Sequence, residues 1–415
     1  MVTIKPFKAI RPDLKFAQAI SAPPYDVVSR SESRKIIEEN PQSFLQITRS
    51  DALFDDSVNQ YDDSIYNKAK ELFKKFQDDK ILIQDPEASV YVYSQTSKTH
   101  TQNGIVCLTS VEDYIKDDIK KHEKTRSDKE NDRTKHIDVV NADLEPVFLT
   151  YKSSNDVNTI IGNIMKSSAP CLDFSSNDNV NHKLWIISDK SVIEKLVSIF
   201  SRIKSLYIAD GHHRAASAAK NGILRKQKNP SHTGNEPYNF FLSVMFPSDQ
   251  LKILPYNRVV KDLNGLTANE FFDMIKVSFN VSELKEKNKE PVKPHSFSMY
   301  LENKWYVLTP KGALFDPKDV IASLDVSILQ DHVLNKILGI LDPKTDKRID
   351  FVGGIHGTKK LEEIVDSNKM KVAFSLYPTS IESLFAIADN EMLMPPKSTW
   401  FEPKLRSGLF LYSLK

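Results

Sequence analysis

The stretch SLYIADGHHRAASAAKNG, residues 205–222, decides the fold class. It reads as an apolar strand, a tight turn at Gly211 and an alanine-rich helix that closes at Asn221-Gly222. The first N–H groups of such a helix have no partner inside it, and the helix dipole places partial positive charge there. Gly211 lets an anion come close to the backbone, and His212, His213 and Arg214 add donors and charge, so the turn has the chemistry of a phosphate site. Asp210 stands at its edge, where a carboxylate could take a proton from an attacking hydroxyl or hold Mg²⁺. The same residues also suit an aspartate-capped helix with two exposed histidines. Consecutive histidines point apart on a helix and do not read as a zinc pair.

Outward from this turn, strands and helices alternate. EPVFLTY (145–151), HKLWIIS (182–188) and FFLSVMF (240–246) read as buried strands, SVYVYSQ (89–95) alternates as a strand, and LKILPYNRVV (251–260) reads as one more. Helices are expected over 31–40, capped by Ser29 or Ser31 and stopped by Pro41, and over 61–80, where apolar positions recur at helical spacing. SAPPYDVVS (21–29) is a loop stiffened by two prolines, and KNKEPVKPHS near 286–296 is a flexible surface connection. The expectation is an α/β protein, α+β in its mixed sheets. It divides into an N-terminal domain (residues 1–150) with a charged segment 116–137, a core (151–262) that carries the turn, and a C-terminal domain (263–415).

At 415 residues the chain has room for two or three domains. Its 57 Lys and Arg against 55 Asp and Glu leave +2, which argues against blanketing nucleic acid with positive charge. Cys107 and Cys171 make no disulfide framework. No apolar run is long enough for a membrane span and the first residues carry no apolar signal core, so a soluble, cytoplasmic protein is expected. Neither a P-loop nor a kinase glycine-rich loop is present, and Gly353-Gly354-Ile355-His356-Gly357 reads as a turn.

IADGHHR resembles the signature of the ParB and sulfiredoxin superfamily, although the position that sulfiredoxin needs as cysteine is His212. A longer likeness runs through IKPFKAIRP (4–12), APPYDVVS (22–29), NPQSFLQITR (40–49), HEKT (122–125), EPVFLTY (145–151), IADGHHRAASA (208–218), LPYNRVV (254–260) and MPPKSTWFEPKLRSGL (394–409). These blocks resemble a family catalogued as a domain of unknown function, whose members with an assigned role are similar to free-serine kinases using inorganic pyrophosphate. Where many relatives read Leu-Pro-Thr-His-Arg, this chain has Leu254-Pro255-Tyr256-Asn257-Arg258.

The resemblance implies a ParB/sulfiredoxin-like core with further α/β regions at both ends. It implies transfer of a phosphoryl group to L-serine from pyrophosphate, with Mg²⁺ as cofactor and no nucleic-acid or membrane partner; the alternatives are an ATP- or ADP-dependent kinase and a nucleotide-binding regulator. In this reading Asp210 is the base and a magnesium ligand, and Glu123 has a second acidic role. Gly211, His212, His213, Arg214, Lys124, Thr125, Arg133, His136, Lys397, Ser398 and Thr399 hold phosphates. Tyr25, Asp26 and Arg258 bind the acceptor, and the charged segment 116–137 acts as a lid. Glu402, Lys404 and Arg406 read as structural ion pairs near the C-terminal loop.

Overall fold

A computed structural model of the chain describes residues 1–312 and 314–415. They form two compact units: Met1–Leu251 together with Pro403–Lys415, and Lys252–Glu402.

In the first unit, nine strands among the described residues share one mixed sheet. They are β1 (Ile4–Lys5), β2 (Val90–Thr96), β3 (Thr101–Ser110), β4 (Ile119–Lys120), β5 (Val147–Tyr151), β6 (Leu172–Ser175), β7 (Asn181–Ile187), β8 (Leu206–Asp210) and β9 (Phe240–Pro247). The order is β4-β8-β5-β9-β3-β2-β7-β6, with β1 added along β3. Two pairs are parallel, β8 with β4 and β9 with β5, and the rest are antiparallel. Strands from both sides of residue 150 are thus neighbours in a single sheet. The buried runs of β5 and β9 explain the placement, since a strand apolar on both faces belongs in the middle.

Four helices matter for the site. Helix α1 (Arg30–Glu39) starts at Ser29, which forms a capping box with Glu32. Helix α2 (Asp63–Asp78) buries Ile65, Tyr66, Ala69, Leu72, Phe73 and Phe76 on one side. Helix α3 (Ser127–Val140) and helix α4 (His212–Lys228) lie against each other: Ser217 Oγ donates to Glu130 O at 3.0 Å, and Arg225 pairs with Asp138 at 3.0 Å. The charged segment is therefore largely a packed helix, with Asp132, Thr134 and His136 buried. Helix α4 also runs past the expected stop at Asn221-Gly222. Gly222 lies inside it, where an added Cβ would come within 2.5 Å of Tyr238 O, so this glycine serves a close backbone approach.

The main sheet of the second unit has six strands among the described residues: β10 (Tyr256–Val260), β11 (Phe279–Glu283), β12 (Phe297–Leu301), β13 (Lys304–Pro310), β14 (Ile349–Gly353) and β15 (Val372–Ser375). Their order is β11-β13-β12-β15-β10-β14, antiparallel throughout. The single strand expected over 251–260 is two: Lys252–Leu254 pairs with Trp400–Glu402, and β10 joins the six-stranded sheet. Pro255 separates them because it has no N–H for a ladder. Residues 354–356 form the expected turn as a single 3-10 turn.

Candidate functional site

Strand β8 delivers the site. Its register against β5 shifts between Ile208 and Asp210, an irregularity of the kind that re-aims a side chain at a strand end. Gly211 follows at φ +91, ψ 32, a left-handed conformation that costs a side-chain-bearing residue energy. An added Cβ there would stand 2.8 Å from Arg214 Nε. The next residue opens α4, so the unpaired N–H groups of its first turn sit directly beside Asp210.

Asp210 is gripped on both oxygens, Oδ1 by Lys404 Nζ at 2.9 Å and Oδ2 by Arg214 at 2.7 Å. Burial works against its charge, yet Lys404 and Arg214 hold its carboxyl far below the usual range. Arg214 is itself 6 % exposed; it donates to Pro146 O at 2.6 Å and lies 4.0 Å from Asp26. Burial disfavours its charge, but Asp26, Asp210 and Glu145 outweigh that and raise its pKa. Its Nε is buried without a partner.

The histidines are neutral. His212 and His122 meet edge to face with ring centres 4.4 Å apart, and His212 Nε2 and His122 Nδ1 are both buried and unpartnered. Burial lowers the pKa of His122 to about 4 against the opposing charge of Asp210, and burial followed by His122 lowers that of His212. His213 Nε2 accepts from Arg126 N at 3.0 Å, so its proton sits on Nδ1. Glu123 is about half exposed at 48 %, with Oε2 3.9 Å from His212 Nδ1.

A second acid lies behind the turn. Glu145, just before β5, accepts from Tyr25 N at 3.1 Å and from Ser407 Oγ, and burial raises its pKa despite Arg214 and Ser407. Tyr25 is buried beneath the guanidinium of Arg133, 4.5 Å above its ring, while Asp26 stays partly exposed beside Arg214.

The structure therefore gathers Tyr25, Asp26, Glu123 and the turn 210–214, but it gives other expected residues different work. Arg133 pairs with Asp132 and donates to Thr48 O, and His136 Nε2 meets Ile47 O at 3.0 Å. Both are tied into the packing of α3 rather than held on a lid. Thr125 Oγ1 donates to Glu130, and Lys124 is exposed beside Glu123. Lys397, Ser398, Thr399 and Arg258 belong to the second unit, where Ser398 Oγ donates to Pro395 O at 2.7 Å. Among the described residues no group of three His, Cys, Asp or Glu could hold a metal ion. Asp210 does not fit Mg²⁺, because both oxygens are already bound by cations.

Sequence reasoning missed Glu145 and the inward role of His122, although both stand in quoted blocks. Lys404 was expected to be an ion pair near residues 397–399; it is one, but with Asp210, 194 positions away.

These features define a mixed α/β protein with a glycine-hinged strand–helix turn walled by buried ionisable side chains. The chain belongs to the DUF1015 family, described as a protein of unknown function, whose model matches residues 4–327. No curated protein matches the sequence. Among solved structures it is similar to a variant free serine kinase in complex with AMP, at 13% identity over 71% of this chain and 87% of that one, TM-score 0.36. It is also similar to a conserved hypothetical protein from Pyrococcus furiosus (14%, 74% and 95%, 0.33) and to C-terminally truncated SbnI from Staphylococcus aureus (12%, 75% and 89%, 0.39). Among the described residues no helix is long and apolar enough to cross a membrane.

Proposed function

We propose that the first unit is a phosphotransferase that moves a phosphoryl group from inorganic pyrophosphate to free L-serine, giving O-phospho-L-serine. One observation carries this reading: the left-handed Gly211 opens the N-terminus of a seventeen-residue helix beside an arginine and two neutral histidines, with buried nitrogens left unpartnered. Phosphoryl transfer asks little covalent chemistry of a protein beyond in-line placement and charge balance, and such a turn supplies both.

In this reading the first N–H groups of α4 and His213 Nδ1–H hold the donor, with Lys124 at the exposed side. Asp26 takes the serine ammonium. The serine hydroxyl oxygen attacks the near phosphorus, the bridging P–O bond breaks, orthophosphate leaves, and the hydroxyl proton passes to Glu123. The base role goes to Glu123 because a carboxylate held as low as Asp210 binds a proton poorly. Asp210 instead fixes Lys404 and Arg214 around the turn. With both oxygens taken by Lys404 and Arg214, Asp210 is not a ligand for Mg²⁺.

The test is phosphorus NMR of the protein with L-serine and Mg²⁺, offering pyrophosphate, ATP and ADP separately. Phosphoserine formed fastest from pyrophosphate supports the proposal. Faster turnover with a nucleotide moves the donor to that nucleotide, and no phosphoserine from any donor overturns the kinase reading.

A further inference from the structure

Between Pro24 and the cap of α1 the chain turns sharply. Val27 N donates to Pro24 O at 3.2 Å, and Asp26 and Val27 are exposed while Tyr25 is buried. The carboxylate of Asp26 therefore rides on a surface turn, and its direction depends on what fixes the backbone on either side. Arg49 does that fixing. Its Nη1 donates to Tyr25 O at 3.2 Å and to Val28 O at 2.5 Å, the two carbonyls that bracket Asp26 and Val27. The rest of the guanidinium is committed to Asp51, with Nε donating to Oδ1 and Nη2 to Oδ2, each at 2.9 Å. This two-point fork sets the plane of the arginine and leaves Nη1 aimed at the turn. Both side chains are mostly buried, 15 % and 10 % exposed.

The bracket is itself anchored from α3. His136 Nε2 donates to Ile47 O at 3.0 Å and Arg133 donates to Thr48 O at 3.2 Å, so the residues leading into Arg49 are held by their carbonyls. The same Arg133 guanidinium lies 4.5 Å from the Tyr25 ring centre, and Tyr25 N donates to Glu145 at 3.1 Å. Helix α3, residues 47–51 and the turn thus form one connected network inside the first unit. Its outer end is Asp26, whose Oδ2 lies 4.0 Å from Arg214 beside the glycine-hinged turn.

We infer that Arg49 is a positioning residue for the acceptor: by clamping the Tyr25–Val28 turn it holds the Asp26 carboxylate where the ammonium of L-serine docks. It sets affinity for the acceptor without touching it. The inference rests on the role proposed above for Asp26. A lysine cannot replace Arg49, because a single ammonium lacks the planar fork that grips Asp51 while a further N–H bridges two carbonyls.

The full chain is assayed by phosphorus NMR as wild type, Arg49→Lys, Asp26→Asn and the double variant, with whichever of pyrophosphate, ATP and ADP is turned over fastest. Arg49→Lys is expected to raise KM for L-serine about tenfold, with kcat and the KM of the donor within about twofold of wild type. In the Asp26→Asn background it should add nothing, since two changes that act through one contact are not additive. An unchanged KM for L-serine overturns the assignment. So does a loss that falls on kcat or on the donor, or one that adds in full to that of Asp26→Asn. If Arg49→Lys does not fold, Asp51→Asn loosens the fork with Arg49 in place, and the same cycle decides by the same outcomes. A wild type that makes no phosphoserine from any donor overturns the kinase reading itself, and this assignment with it; an active wild type keeps the two failures apart.

Discussion

At the scale of single residues, charge compensation governs the candidate site. Arg214 is both a positive charge beside the proposed phosphate-binding turn and the partner of a buried carboxylate, so its loss acts twice. Arg214→Ala should lower thermal stability by about 3–5 kcal/mol, the usual result of stripping one member from a buried pair. It should also cut kcat/KM at least about tenfold in turnover assays run where the variant is still folded. The two acids separate cleanly. Glu123→Gln should remove about a hundredfold or more of kcat with stability unchanged, whereas Asp210→Asn should lower the melting midpoint as well as activity. Steady-state kinetics paired with melting curves tell them apart; full kcat in Glu123→Gln would return the proton to another group. His122 adds a pH signature. It is neutral when folded, with a pKa of about 4, and titrates near 6.5 when unfolded, so the unfolded chain binds the extra proton between those values. Its contribution to stability is complete above about pH 6.5 and is lost as pH falls toward about 4. Asp143, raised to about 7 by burial, slopes the opposite way, which makes the difference between wild type and His122→Gln the quantity to measure. The variant should lose less stability than wild type between pH 7 and 5.

At the scale of elements, one strand–turn–helix unit creates the site, and its hinge is a backbone conformation. Gly211→Ala is penalised twice, through the left-handed φ and through a Cβ 2.8 Å from Arg214 Nε. The expected result is a loss of about 1–3 kcal/mol in stability together with loss of activity, since Arg214 must move. A fully active, equally stable Gly211→Ala would show that the turn tolerates another course. This unit was legible in the sequence because its cues are local: an apolar run, a lone glycine and an alanine-rich stretch. Helix α3 was less legible. Its composition is that of a solvated segment, but Asp132, Arg133 and His136 find partners in Tyr66, Thr48 and Ile47, all distant in sequence. The end of α4 was misread for a related reason: the contact that explains Gly222 comes from Tyr238, outside the helix.

At the scale of the whole molecule, the decisive feature is the return of Pro403–Lys415 to the first unit. That segment supplies Lys404 to Asp210, Ser407 to Glu145 and Arg406 to Asp178. It lies beyond the family match, which ends at residue 327. Lys404→Met should therefore impair the site although it sits far along the chain from the turn. Asp210 would keep only Arg214 among these two cations, its pKa would rise, and kcat should fall about tenfold or more with native-like circular dichroism. Unchanged kinetics in Lys404→Met would show that the segment is a structural tie alone.

What the sequence determined by itself is the α/β class and the turn Asp210–Arg214, because strand, glycine and helix start are set by neighbouring residues. Which charges remain available was decided by tertiary structure. Both oxygens of Asp210 are claimed by Lys404 and Arg214, and His122 and His212 are held neutral by burial. Desolvation and ion pairing depend on groups brought together from positions 122, 145, 210 and 404, and no local pattern encodes that meeting.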